Sequence, residues 1–347
     1  MLEVDSTGTS HEIGVSHGSI AKAEIARSIT FYQNLFQKHC SMDWETVKSF
    51  ALKYQTYLSS SWPQYVSEME GVAQGAGVTY GDILALNVRT EIAFGNFSDG
   101  CTALSWKGAG TSILGQNWDW NTEQSENLIH LKIKKGNGLS IQMITEAGII
   151  GKIGMNSLGV ACTLNALKAR GVSFTSLPCH LALRTVMESS SRSAAITTLS
   201  TSGVASACHI LVADSTGGTG LECSSIDIVQ LPMNDKGIVT HTNHCIVPHA
   251  KGFVEEPDWL PDTRFRLRRI EELLNGAKEE EPSVEVVEKL LADEQEGDGA
   301  AICRTSKGGN NNLATLFSVV MDLKNVRGRV KVGRPARPDE KVVFDFA

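Results

Sequence analysis

The sequence predicts an α+β protein in which β-sheets pack on each other and helices cover their outer faces. Roughly the first 95 residues have helical periodicity, as in Ile25, Ile29, Tyr32 and Phe36, which share one face. At Asp99-Gly100-Cys101 the pattern changes abruptly to short strand-like runs. Strands and helices then follow in blocks, which argues against the strand–helix alternation of a Rossmann-like sheet and favours packed sheets.

The individual elements follow from local patterns. Within the helical part, glycines at 75 and 77 predict a turn. Asp262 is predicted to cap a helix that reaches Leu274, and 264–269 is predicted to be a solvated face of that helix. Further helices are predicted at 178–189, 192–202 and 284–291. Strands are predicted at 103–106, 112–118, 128–134, 140–146, 209–213, 220–225, 226–231, 237–242, 313–323, 329–332 and 341–346.

Composition excludes several functional classes. The 347 residues are 41% hydrophobic and 20% charged, with a net charge of −7, which is the balance of a folded globular protein. Basic residues form no broad patch, so no nucleic-acid partner is expected. No apolar run reaches the ~18 residues of a membrane span, and neither a signal peptide nor a peroxisomal Ser-Lys-Leu ending is present. We therefore expect no membrane partner and a cytoplasmic location.

The cysteines and histidines do not predict a metal site. Eight cysteines are spread along the chain without a Cys-x-x-Cys pair, so most are expected to be buried thiols. His241, His244 and Cys245 lie close in sequence, but no fourth ligand has the usual zinc spacing. The expectation is no metal and no cofactor.

The junction Gly100-Cys101 carries the chemical hypothesis. Glycine permits the distorted backbone in which a thiol can attack the preceding carbonyl, and hydrolysis would then leave Cys101 at a new N-terminus. An α-amino group has a reference pKa of about 7.7–8.0 and can take the proton of its own thiol, so no histidine is required. The alternative is that Asp99-Gly100 marks a turn and Cys101 is a buried strand residue. Spacing alone leaves both open.

Several motifs resemble one family. Asp99-Gly100-Cys101-Thr102 followed by Gly115-Gln116-Asn117-Trp118-Asp119 resembles the processing site and next hairpin of the acyl-coenzyme A:6-aminopenicillanic acid acyltransferase (isopenicillin N acyltransferase) family. Further blocks resemble that family in the same order. They are 13–18, 87–91, 144–154, 241–245, and 333–335 with 338–340.

The resemblance implies a four-layer αββα sandwich of the N-terminal nucleophile hydrolase type, with 1–347 as a single domain. It implies cleavage between Gly100 and Cys101 into a mainly helical small chain, 1–100, and a large chain, 101–347, which stay together as a heterodimer. It also implies roles for individual residues: Cys101 as nucleophile, Asp119 as an orienting group and Asn243 as an oxyanion donor. Thr102 and Ser224 would lie in the substrate pocket. The implied reaction is acyl transfer or hydrolysis on isopenicillin N or 6-aminopenicillanic acid, with acyl-CoA as co-substrate, as in penicillin biosynthesis.

Two departures fall on positions that the family uses. Asn311 and Asn312, two further pocket candidates, stand where the family has serine and arginine, so a permanently charged carboxylate partner is lost. Ala103 replaces a second threonine after the nucleophile, and the loss of its hydroxyl is expected to slow self-processing. Three hypotheses remain: an acyltransferase on penicillin-type substrates, an amidohydrolase on an unrelated amide, and an uncleaved paralogue that only binds.

Overall fold

The computed structural model describes residues 1–93, 100–255, 260–277, 281–308 and 312–346. Its strands form an eight-stranded sheet in the order β1-β4-β5-β6-β7-β8-β9-β10 and a six-stranded sheet in the order β11-β2-β3-β12-β13-β14. The strands are β1 Leu2–Gly8, β2 Gly100–Lys107, β3 Ser112–Asn121, β4 Leu128–Lys135, β5 Ser140–Glu146, β6 Ile153–Asn156, β7 Ala161–Ala166, β8 Cys208–Asp214, β9 Gly217–Cys223, β10 Ile228–Pro232, β11 Ile238–His241, β12 Leu313–Asp322, β13 Arg327–Val332 and β14 Glu340–Asp345.

The helices belong to two outer layers. Among the described residues, seven α-helices lie before β2, two between β7 and β8, and two between β11 and β12. They are α1 Ser10–Ile20, α2 Lys22–Cys40, α3 Trp44–Ala51, α4 Gln55–Ser61, α5 Pro63–Ala76, α6 Tyr80–Asn87, α7 Arg89–Ala93, α8 Cys179–Met187, α9 Arg192–Ser202, α10 Thr263–Gly276 and α11 Val284–Leu291.

The four layers are held together by two apolar cores. Strands β2 and β3 face β7, β8 and β9 across a large core, so the two sheets pack face to face. On the other side of β2 and β3, helices α10 and α11 cover the six-stranded sheet through a smaller core that includes Leu104, Ile270 and Val287. Helices α8 and α9 pack on the eight-stranded sheet, and α1 packs on β1. This is the αββα arrangement predicted.

Two helices of the N-terminal region cross at unusually close range. A Cβ built on Gly14 or Gly18 of α1 would lie 2.0 or 2.2 Å from a backbone oxygen of α5, and a Cβ on Gly71 or Gly75 of α5 would collide equally with α1. Only glycine permits this approach. Gly75 is therefore a packing residue inside α5 and not part of the predicted turn, which begins at Gly77 with a left-handed backbone.

Most predicted elements are confirmed, and three strands were not predicted. β6 has only four residues, β7 follows closely on Gly159, and β1 lies within the N-terminal region that was predicted to be helical. Asp262 does precede α10, but its side chain makes no capping hydrogen bond. The prediction of a cap was wrong because stronger partners hold this carboxylate, as described below.

Candidate active site

Strand β2 begins at the predicted cleavage site. Gly100 and Cys101 are buried, and they pair with Asp119 and Trp118 of β3. Side chains alternate along a strand, so Cys101 belongs to the core between the sheets, whereas Thr102 faces α10. Cys101 is not in a disulfide and its side chain is fully buried. The thiol therefore lies inside the fold of the uncut chain.

The backbone of Cys101 is held by Asn243. The Cys101 N–H donates to Asn243 Oδ1 at 2.9 Å, while Asn243 Nδ2 donates to the Ala166 carbonyl at 3.0 Å. Asn243 is itself fixed from α10, because Thr263 Oγ1 accepts from its backbone N–H at 2.7 Å. Two predicted site residues, Cys101 and Asn243, are thus in direct contact across 142 positions of sequence.

Arg266 connects both of these residues to α10. Its guanidinium donates to the Cys101 carbonyl oxygen, to Thr102 Oγ1 at 3.2 Å and to Asn243 Oδ1 at 2.8 Å. The prediction of a solvated face across 264–269 was wrong at this residue, which is fully buried. The missed signal was in the sequence: Arg266, Ile270 and Leu274 follow each other at helical spacing, which places the arginine on the apolar face.

A chain of buried charges continues from Arg266 to the third predicted residue. Asp262 accepts hydrogen bonds from both Arg266 Nε and Arg304 Nη2. Arg304 Nε in turn donates to Asp119 Oδ2 at 3.0 Å, and Thr315 Oγ1 donates to Asp119 Oδ1 at 2.6 Å. Two arginines and two aspartates therefore balance each other, which is how proteins keep buried charges stable.

The two carboxyl groups respond differently to this environment. Burial opposes ionisation of Asp262, but Arg266 and Arg304 together outweigh burial and lower its pKa. At Asp119, which is fully buried, burial raises the pKa, and Arg304 and then Arg266 oppose the rise. The orientation of the Asp119 carboxyl group is thus fixed by a cation and a hydroxyl. None of the sequence patterns predicted that Asp262, Arg266 or Arg304 would lie at the candidate active site.

Gly100 is required by the same network. A Cβ at this position would lie 2.9 Å from Asp119 Oδ2 and 3.1 Å from Arg304 Nη2. Contacts this short would displace the ion pair. The glycine before Cys101 therefore lets Asp119 and Arg304 lie directly against the backbone of the predicted cleavage site.

The other predicted pocket residues contact groups outside the network around Cys101. The Ser224 hydroxyl donates to Asp227 Oδ1 at 2.7 Å in the turn between β9 and β10. Asn312 lines a cavity of about 640 Å³ between α2 and the end of β3, together with Lys38 and Asn121. Asn312 lies three positions before Thr315, which is about 10 Å along a strand. Asn311 lies outside the described residues.

His241 and His244, the histidines next to Asn243 in sequence, contact other side chains of the described residues. His241 Nε2 contacts Glu222 Oε1 at 2.8 Å, and its ring stacks on His209 at 3.6 Å between centroids. His244 Nδ1 contacts Thr263 Oγ1 at 3.0 Å.

Among the described helices, none is long and apolar enough to cross a membrane.

Comparison with known proteins agrees with this architecture. The family model "Acyl-coenzyme A:6-aminopenicillanic acid acyl-transferase" matches residues 106–337. The chain is also 39% identical over 350 aligned positions to the acyl-coenzyme A:6-aminopenicillanic-acid-acyltransferase 40 kDa form of Emericella nidulans, covering 100% of this chain and 97% of that protein. The chain belongs to this acyl-transferase family. The resemblance drawn from its motifs is confirmed.

A solved structure supports the fold of this family member. Penicillin V acylase from Agrobacterium tumefaciens superposes with a TM-score of 0.50 over 71% of this chain and 86% of that one, at 11% sequence identity. Identity this low shows the fold alone, which is that of the N-terminal nucleophile hydrolases. Membership of the family makes the chain an enzyme of the acyltransferase type.

Proposed function

We propose that this family member cuts itself between Gly100 and Cys101 and then uses Cys101 as an N-terminal nucleophile in acyl transfer or amide hydrolysis. The observation that carries the proposal is that buried polar and charged side chains hold the backbone on both sides of Cys101. Asn243 accepts from its N–H, Arg266 donates to its carbonyl oxygen, and the Asp119–Arg304 pair lies against Gly100. A purely structural strand residue would need none of these buried charges.

The cleavage step follows from the atoms at this bond. The Cys101 thiol loses its proton, and Sγ attacks the Gly100 carbonyl carbon to form a tetrahedral oxyanion. Collapse of this intermediate breaks the C–N bond, the Cys101 nitrogen takes up a proton, and Gly100 is left as a thioester on Sγ. Water then hydrolyses the thioester, giving a Gly100 carboxylate and a free Cys101 thiol and amine. The products are the small chain 1–100 and the large chain 101–347.

The same contacts would serve the cut enzyme. The Cys101 nitrogen becomes an α-amine that is already 2.9 Å from Asn243 Oδ1, so its orientation is set before cleavage. An amine with a reference pKa of about 7.7–8.0 can accept the proton of its own thiol near neutral pH. Asn243 Nδ2 would have to leave the Ala166 carbonyl to donate to an oxyanion, so that role belongs to the substrate complex.

The substrate class we favour is a β-lactam amide. The reaction would exchange the acyl side chain of isopenicillin N, or acylate 6-aminopenicillanic acid, with acyl-CoA as donor and no other cofactor, in the cytoplasm. The support is the acyltransferase activity for which the Emericella nidulans relative is named. Asn312 would then act from the lining of its cavity, and Thr102 would act through its hydrogen bond with Arg266, while Ser224 is a pocket candidate from the family resemblance alone.

The departures at Asn311 and Asn312 leave a second candidate. Because neither side chain carries the charge that holds a carboxylate bidentately, the enzyme could instead hydrolyse an uncharged amide. The two candidates share Cys101 and the cleavage site. They differ only in the substrate that is turned over.

The first test is intact-mass spectrometry of purified full-length protein. We expect two fragments split between Gly100 and Cys101, a single chain for Cys101→Ala, and normal splitting for Cys162→Ala, which removes an equally buried thiol from β7. An uncut wild-type chain would refute self-processing. Cut protein is then assayed with 6-aminopenicillanic acid and an acyl-CoA, and with simple amides; turnover of amides alone would select the second candidate.

A further inference from the structure

A second cluster of reactive side chains combines one residue of β9 with two residues of the segment that follows Asn243. One ligand atom each from Glu222, Cys245 and His249 lies within 4.8 Å of the other two. They come from the end of β9 and from the loop after β11, so folding alone brings them together. We propose that these three residues bind a divalent transition-metal cation of the Zn²⁺ type.

The donor set suits such a cation. Zinc takes thiolate sulfur at about 2.3 Å, imidazole nitrogen at about 2.0–2.1 Å and carboxylate oxygen at about 2.0–2.2 Å. Tetrahedral angles with these lengths place nitrogen and oxygen about 3.4 Å apart, and sulfur and oxygen about 3.6 Å apart. His249 Nε2 and Glu222 Oε2 are 3.0 Å apart, so a small outward movement would admit the ion. Three protein ligands leave the fourth position for water.

His249 is oriented as a metal-binding histidine would be. Its Nδ1 contacts Asp227 Oδ1 at 2.8 Å, which directs the other nitrogen towards Glu222. Its ring stacks on Phe253 with centroids 3.9 Å apart. A carboxylate on the outer nitrogen of a ligating histidine fixes the tautomer and raises the basicity of the ligand.

The charges around the thiol also favour a cation. The carboxylates of Glu222 and Glu255 both lie close to Cys245. The Cys245 N–H already donates to Glu255 at 2.8 Å. A divalent ion would offset this negative field and displace the thiol proton to solvent, since metals bind the thiolate. Cys245 is partly exposed, which gives the ion a path to the buried Glu222.

The bound cation would stabilise the segment that carries Asn243 without being part of the candidate active site. Cys245 is two residues from Asn243, and Glu222 also holds His241 at the end of β11. The ion would therefore tie β9 to the segment that positions Asn243. The sequence expectation of no metal considered His241, His244 and Cys245. The two histidines contact Glu222 and Thr263 instead, and only Cys245 belongs to the proposed metal site.

The test uses the full-length chain with Cys101→Ala, so that the cleavage-site thiol cannot bind metal. Metal-stripped protein is titrated with Zn²⁺ by calorimetry and with Co²⁺ by absorption. We expect one equivalent of each, with a thiolate-to-cobalt charge-transfer band. Cys245→Ser should abolish the band, and Asp227→Asn should weaken binding about 10- to 100-fold while leaving all three ligands present.

The matched control is Cys40→Ala, which removes the other partly exposed cysteine, at the end of α2. This variant should bind as tightly as its parent. Circular dichroism of each variant reports folding, and the Asp227→Asn result holds even if Cys245→Ser unfolds. Absence of Zn²⁺ binding in the parent, or equal binding and an unchanged band in Cys245→Ser, would overturn the proposal.

Discussion

Replacing Arg266 by lysine separates charge from geometry at the candidate active site. Lysine keeps the positive charge beside Asp262 but has no planar fork, so it cannot reach the Cys101 carbonyl, Thr102 and Asn243 together. Two of the three hydrogen bonds are therefore lost at about 1.5 kcal/mol each, because the donor is charged, so the free energy of unfolding should fall by about 3 kcal/mol. Arg266→Met, which also leaves Asp262 with one cation fewer, should cost about 3–5 kcal/mol.

The assay has two parts. Urea unfolding on the uncut Cys101→Ala background measures stability, and a loss of about 3 kcal/mol moves the midpoint by about 1 M or more. Intact mass over time measures cleavage on the wild-type background, where loss of positioning should slow the reaction about 100-fold. Arg268→Lys is the matched control, because it lies on the same helix with 62% of its side chain exposed. If Arg266→Lys cleaved and unfolded like Arg268→Lys, the positioning role would be refuted.

Three further predictions concern single residues. Gly100→Ala should slow cleavage at least tenfold by displacing Asp119, whereas Gly110→Ala, whose Cβ meets nothing within 4 Å, should cleave normally; equal intact-mass time courses would contradict this. Glu146, whose pKa falls to about 2 because Arg89 and Lys152 outweigh burial, stabilises the fold fully above about pH 4.5 and loses that contribution as pH falls towards 2. Glu146→Gln should therefore cost about 3 kcal/mol at pH 7 and clearly less at pH 3 in urea unfolding, so a constant difference would rule out this linkage. Ala103→Thr, which returns the missing hydroxyl, should speed cleavage; an unchanged intact-mass time course would mean that the hydroxyl has no role.

The sequence predicted the parts of the fold that depend on local patterns. Helical and strand periodicity located most elements, and the motif around Gly100 located the cleavage site that we propose. Asp262 was misinterpreted because an aspartate before a helix normally caps it, and its partner Arg304 lies 42 residues away. Arg266 was misinterpreted because a run of arginines normally faces water.

The remaining features depend on contacts between distant segments. Glu222 and His249 meet through the pairing of β9 with β8 and β10 and the return of the loop after β11, which no spacing rule encodes. Likewise, the close crossing of α1 and α5 depends on Gly14 and Gly71, each of which lies against the backbone of the other helix. Local patterns identify elements, while packing decides which polar residues are buried together.

The pairing of β1 has a consequence for a chain cut at residue 100. Residues Leu2 to Gly8 pair in parallel with Ile129 to Lys135, so the small chain would supply the edge strand of a sheet otherwise built from the large chain. A cut molecule that unfolded would have to refold by encounter of two separate chains, at a rate set by their concentration. Large chain made alone would leave the β4 edge open to pair with other molecules. Processing would thus replace a folding reaction of one chain by one that depends on the concentrations of two chains.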